Sequence, residues 1–101
     1  MTLREVILSA ASLPEEAMIY TNAEKNFWNP GTLCQLIEEE EDDVVIYREG
    51  QPLFYFLESS TLLEVIEGWQ EISRGNEATE NDIVRVVIYY ARYDSWPQPV
   101  Q

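Results

Sequence analysis

Residues 44–58, VVIYREGQPLFYFLE, restrict the fold more than any other stretch of the chain. Val44 to Tyr47 and Leu53 to Leu57 are β-branched, aromatic or leucine, and Glu49-Gly50 lies between them as a turn. The pattern predicts an antiparallel hairpin. Pro52 has no N–H to give to a ladder, so the second strand begins there or lies at an edge. Directly before the hairpin stand six acids in a row, Glu38, Glu39, Glu40, Glu41, Asp42 and Asp43. If extended, such a run alternates its carboxylates between two faces; if helical, it spreads them round the axis. Neither form offers a face to bury. The run reads as a solvated connection whose charges guard the apolar strand that follows against edge pairing.

The rest of the chain falls into helices and strands around that hairpin. Thr2 with Glu5 forms a capping box, and Leu3, Val6, Ile7, Ala10 and Ala11 follow at helical spacing until Leu13-Pro14 closes the segment. Ala17 to Thr21 and residues 32–37, TLCQLI, read as strands, separated by the loop NAEKNFWNPG with its Asn-Pro-Gly turn. Thr61 and Glu64 form a second capping box, opening a helix over 61–74 with the stripe Leu62, Val65, Ile66, Trp69 and Ile72. Gly75 after Arg74 is its stop, and Gly68 inside it costs up to about 1 kcal/mol against alanine. Asn81 to Tyr93 places Ile83, Val86, Val87, Tyr90 and Ala91 on one helical face. Its run VRVVIYY is equally strand-like in composition. The acid-rich approach, with Thr79 and Asp82 as a cap, favours the helix.

The order of elements predicts an α+β fold, a small and mostly antiparallel sheet of three to four strands packed against about three helices that cover one face. Residues 1–94 read as one compact domain and 95–101 as an irregular, proline-containing tail. Leu3, Val6, Leu8, Ala11, Leu13 and Pro14 at the start, with Tyr89-Tyr90 and Asp94 near the end, resemble a family of short uncharacterised bacterial domains in which a helix ending in Leu-Pro precedes a strand. The resemblance covers the two ends of the chain. It implies a fold of this kind and, since that family has no assigned activity, no chemistry.

Charge and residue type narrow the function. Nineteen acids against six basic residues and no histidine give a net charge of −13. Removing the acid run would still leave the chain strongly negative, so the acidity is general. Such a surface repels phosphate backbones and anionic membranes, and it steers basic partners inward. Direct nucleic-acid and membrane binding are therefore not expected. A single cysteine, Cys34, allows no internal disulfide and fits a reducing compartment. No apolar run approaches the roughly 18 residues of a membrane span, and the N-terminal apolar stretch is too short for a signal peptide. The chain reads as cytoplasmic.

The residues for nucleophilic catalysis are missing, and carboxylates alone, which can run glycoside hydrolysis, need a sugar cleft that a domain this small seldom builds. Without histidine there is no Ser-His or Cys-His pair. Cys34 has no lysine or arginine beside it in sequence to lower its pKa, and Ser59 and Ser60 precede a helix as caps do. No phosphate loop, serine elbow or cofactor motif is present. Zinc lacks ligands, and six consecutive acids do not converge as a calcium loop does. The expectation is a chain that is not an enzyme and carries no cofactor or dedicated metal site.

What remains is binding. One candidate surface is acidic, Glu38 to Asp43 together with Glu64, Glu67 and Glu71 on the outer face of helix 61–74. The other is aromatic and basic: Arg85, Tyr89, Arg92 and Tyr93 opposite the apolar stripe of helix 81–93, and Phe27-Trp28 in their loop. The composition points to a protein–protein interaction module, immunity- or inhibitor-like or a DNA mimic, that docks on a basic partner or on a second copy as a homodimer. The alternative is a small-ligand or weak divalent-metal-binding domain with a pocket between sheet and helices.

Overall fold

The computed structural model describes residues 1–73 and 79–97. In chain order these form helix α1 (Leu3–Leu8), a 3-10 turn (Ala10–Ser12), strand β1 (Met18–Thr21), a second 3-10 turn (Lys25–Phe27), β2 (Cys34–Ile37), β3 (Val45–Arg48), β4 (Gln51–Glu58), α2 (Ser59–Ser73) and α3 (Glu80–Tyr93). The strands make one antiparallel sheet in the order β2-β1-β4-β3. The fold is α+β, with four strands and three α-helices among the described residues. Among the described residues no helix is long and apolar enough to cross a membrane. The expected helix stop at Arg74-Gly75 and the tail residue Pro99 lie outside the described residues.

The hairpin forms as its turn chemistry demands. Glu49 (φ 52°) and Gly50 (φ 77°) both take positive φ, which matches the twist of the strands they join. Pro52 pairs with Tyr47, while β1 meets β4 only from Phe54 onward, so the missing N–H faces no strand. Between Ile19 and Tyr20 the β1–β4 register jumps from Leu57 to Tyr55. The extra residue, Phe56, and its neighbour Leu57 both enter the helix-side core, as a bulge permits.

That core packs Leu3, Val6 and Ile7 of α1, Leu62 and Val65 of α2, and Val84, Val87 and Ile88 of α3 onto Ile19, Cys34, Phe56 and Leu57 of the sheet. On the opposite sheet face lies a smaller cluster, Tyr20, Ile37, Ile46 and Leu53, flanked by Met18 and Tyr55. The helices do not reach it.

Both outer helices carry the capping boxes read from sequence, Thr2 with Glu5 and Thr79 with Asp82. These caps hold the Glu5 and Asp82 carboxyls below the usual carboxylate range, through the hydrogen bonds with Thr2 and Thr79 respectively. The strand-like residues of α3 are accommodated because Val84, Val86, Val87 and Ile88 are all buried, three of them in the helix-side core.

Three boundaries depart most from expectation. Helix α1 ends at Leu8, and the 3-10 turn Ala10–Ser12 carries the chain on to Leu13-Pro14. Helix α2 begins at Ser59, directly after Glu58, so Thr61 lies inside its first turn instead of capping it. Nor is Ser59 a cap for its own helix: its hydroxyl donates to the Pro14 (2.5 Å) and Glu15 (2.9 Å) carbonyls, and its N–H donates to the Ala17 carbonyl. This tether holds the strand end in place and lets the helix start at once. Strand β2 begins at Cys34, two residues late, because Thr32 and Leu33 are engaged with the N-terminal segment through Leu3 and Thr2.

Gly68 answers for its cost in helix α2. A Cβ there would sit 2.7 Å from Cζ2 of Trp96, whose indole lies 5.2 Å from the Tyr90 ring and donates to the Val65 carbonyl. Gly68→Ala is predicted to gain up to about 1 kcal/mol of helix propensity. It should lose a comparable amount, about 1 kcal/mol, as the indole is displaced from Tyr90. The expected result is a melting temperature close to wild type with a red-shifted tryptophan emission. A blue shift or unchanged emission would show that Trp96 does not pack there.

Candidate functional site

The acid run connects β2 to β3, which are opposite edges of the sheet. It must therefore pass β1 and β4, and it does so across the face the helices leave open. The Tyr20 hydroxyl, projecting from β1 on that face, donates to the Asp43 carbonyl at 2.8 Å. From β3, Arg48 reaches back on the same face and places Nη2 2.9 Å from Glu41 Oε1 and 3.9 Å from Glu39 Oε2. The connection thus covers the second apolar cluster with its backbone and Glu41, which is half-buried, while Glu38, Glu39, Glu40, Asp42 and Asp43 remain exposed. Burial raises the pKa of the Tyr20 phenol, and the nearby Glu41 and Asp43 charges raise it further. Arg48 is held still more firmly protonated, chiefly by its hydrogen bond with Glu41.

Where the connection leaves β2 it borders a concavity of about 390 Å3 lined by Glu38, Glu40, Glu41, Asp42, Glu58, Met18, Ser60, Glu15 and Glu16. A second groove of about 490 Å3 shares Glu15, Glu16 and Ser60 and carries on to Glu64 and Glu67 of α2. Glu71 is exposed one turn further along the helix. The two acidic features predicted separately are therefore parts of one band. The residues that join them, Glu15, Glu16 and Glu58, were not singled out in the sequence. Their signal was there, two carboxylates directly after Leu13-Pro14 and one at the end of the second hairpin strand. What could not be read was the Ser59 tether that brings this turn against the start of α2. Among the described residues no group of three or more acids, histidines or cysteines is arranged to hold a metal ion.

The aromatic and basic candidates also meet, in part. A groove of about 400 Å3 is lined by Trp28, Asn29, Pro30, Arg85, Ile88, Tyr89 and Arg92. Arg92 donates to the Lys25 (3.0 Å) and Trp28 (2.8 Å) carbonyls, so it pins the 25–28 loop to α3. Arg85 lies 3.5 Å from Asp82, and the Tyr89 and Tyr93 rings meet at a tilt with centroids 4.7 Å apart. Phe27 and Trp28 do not act as a pair. Phe27 is 69% exposed, whereas Trp28 is only 6% exposed, its indole N–H donating to Thr21 Oγ1 and the Ala23 carbonyl and its ring against Phe56. Adjacent residues in a turn point in different directions, and only the second can reach the core. Cys34 is buried, and burial pushes its thiol up to about 11, leaving it protonated at neutral pH.

No family model, curated protein or solved structure matches this chain.

Tyr20→Phe is predicted to destabilise the protein by about 1 kcal/mol at neutral pH, the usual net worth of one hydrogen bond. The phenol pKa is raised in the folded state, so its contribution is complete below the ordinary value of about 10 and is lost as pH rises through the folded value. Denaturant melts from neutral to strongly alkaline pH should show a shallower alkaline loss for Tyr20→Phe than for wild type. Parallel curves would exclude Tyr20 as an alkaline-sensitive anchor of the connection.

Proposed function

We propose that this chain is a non-catalytic, cytoplasmic binding module whose acidic band docks on a basic protein, in the manner of an inhibitor or immunity protein. Where the partner is itself a nucleic-acid-binding protein, the band's carboxylates stand in for phosphates. The observation that carries this reading is the continuity of the band. Carboxylates from the 38–43 connection, the 15–16 turn, the end of β4 and the outer face of α2 share two adjoining concavities. Among the described residues Arg48 is the basic side chain that enters this region, and it is already engaged by Glu41. A concentration of one sign in concave surface raises the local potential and speeds encounter with a basic partner. The small-ligand and divalent-cation reading has less behind it, since the concavities are open and lack a converging ligand set.

The test is affinity capture from lysate of the source organism at low and at high salt, with wild type and a band variant as baits. The variant combines Glu15→Gln, Glu16→Gln, Glu38→Gln, Glu40→Gln, Asp42→Asn, Glu64→Gln and Glu67→Gln. It spares Glu41, because that residue clamps the connection. The expected result is a basic protein held by wild type, released by salt and absent from the variant. Equal capture by both baits, or capture unaffected by salt, would remove the acidic band as the docking surface.

A further inference from the structure

Strand β3 ends the sheet, and the phase of its ladder identifies the peptide groups left for another strand. The Tyr55 N–H donates to the Val44 carbonyl at 2.7 Å, and the register pairs Ile46 with Leu53 and Arg48 with Gln51. Hydrogen-bonded pairs therefore fall at Val44, Ile46 and Arg48, and Val45 and Tyr47 turn their N–H and C=O groups away from β4. Pro52, opposite Tyr47, suits that phase because no N–H is needed from it. The Tyr47 carbonyl takes Nη1 of the adjacent Arg48 at 3.2 Å. Among the described residues the N–H groups of Val45 and Tyr47 have no partner.

Natural edge strands are guarded by lysine, proline, a bulge or a covering loop. β3 carries no lysine, proline or bulge, and the acid run that the sequence predicts as its guard crosses the open sheet face instead of lying along the strand's outer edge. Its side chains on the helix side of the sheet, Val45 and Tyr47, are 38% and 68% exposed, and Val44 before them is 69% exposed. The other edge of the sheet is different. There Thr2 bridges Leu33, the Met1 carbonyl accepts from the Cys34 N–H, and the Leu3 N–H donates to the Thr32 carbonyl.

We propose that β3 is a self-association edge, to which a second copy of this chain adds its own β3 antiparallel about a two-fold axis at Ile46. In this register Val45 faces Tyr47 of the second copy on both sides of the axis. The outward peptide groups then close about four hydrogen bonds. Each exposed valine covers an exposed tyrosine, a favourable cross-strand pairing of β-branched with aromatic side chains. Charge selects the direction. Parallel addition would lay the two acid runs side by side at about the 5 Å strand spacing. Antiparallel addition sends them to opposite ends and sets Arg48 across from Val44, next to Asp42 and Asp43 of the second copy. Glu49 meets Asp43 at each end, a like-charge contact at the exposed turn. Because β2 is already engaged by the N-terminal segment, the pairing closes at two copies instead of propagating. This interface meets the acidic band only at Asp42 and Asp43, and it does not rest on the proposed docking function.

Sedimentation equilibrium over a concentration series, at low and at high salt, tests the proposal. The expected result is a monomer–dimer equilibrium that shifts toward dimer in salt, because each copy carries −13. Val45→Pro removes an outward N–H without breaking the ladder to β4, and the expected result is complete loss of the dimer with the monomer still folded. If that variant does not fold, Tyr47→Lys, which alters only an exposed side chain, is expected to abolish the dimer instead. Arg85→Glu, and Glu64→Gln with Glu67→Gln on α2, lie away from β3 and are expected still to dimerise. A monomer at every concentration and salt would overturn the proposal, and so would a dimer that survives both β3 substitutions. A dimer weakened by salt would also overturn it, pointing to a charge-paired contact between the acidic band and the Arg85 groove.

Discussion

The structure depends on one topological requirement: β2 and β3 lie on opposite edges of a four-stranded sheet, and seven residues must carry the chain between them. That distance is about three strand spacings, or roughly 14 Å, well within the reach of seven extended residues. The crossing must lie on the sheet face that the helices leave open, where it can exclude water from Tyr20, Ile37, Ile46 and Leu53. A segment of six acids is an odd cover for an apolar cluster, and it works because the side chains do little of the covering. The backbone is fastened at the Asp43 carbonyl and Glu41 turns inward to Arg48, while the other carboxylates point outward. The same crossing carries the charges to the end of the sheet, where the Pro14 turn and α2 add theirs.

Local chemistry was legible in the sequence. The hairpin was readable because Glu49-Gly50 sits between two β-rich runs, and α1 and α3 because each opens with a capping box and continues at helical spacing. What escaped depends on contacts far apart in the chain. The Ser59 tether to Pro14 and Glu15 spans more than forty residues, and nothing near Ser59 announces it. For the same reason Thr61 carries the signature of a cap that the continuous strand-to-helix junction makes unnecessary. Phe27 and Trp28 could not be told apart by spacing, since a turn has no period to assign faces. Trp28 became core through Thr21 and Phe56, and only the fold places these beside it.

The distribution of charge is more ordered than its sum suggests. Arg4, Lys25, Arg85 and Arg92 serve α3 and the segments against it: Arg4 reaches Asn81, Arg85 reaches Asp82, and Arg92 holds the loop that contains Lys25. The acidic band faces the 38–43 connection and the outer side of α2. Within a strongly negative molecule this leaves the neighbourhood of α3 comparatively neutral, so a partner approaching from solution meets a potential with a direction. Long-range forces then orient the encounter before any contact forms.

Strand β4 passes into α2 with no residue between them, and Ser59 at that junction is bonded through its hydroxyl and its N–H to the 14–17 segment. The usual place for a hinge, a short run of loop whose φ and ψ can absorb rotation, is absent there. The sheet and the acidic side of α2 consequently behave as a lever without a pivot. Force applied to Glu64 or Glu67 is delivered to β4, and so to the strand beside it, without being dissipated in a flexible joint.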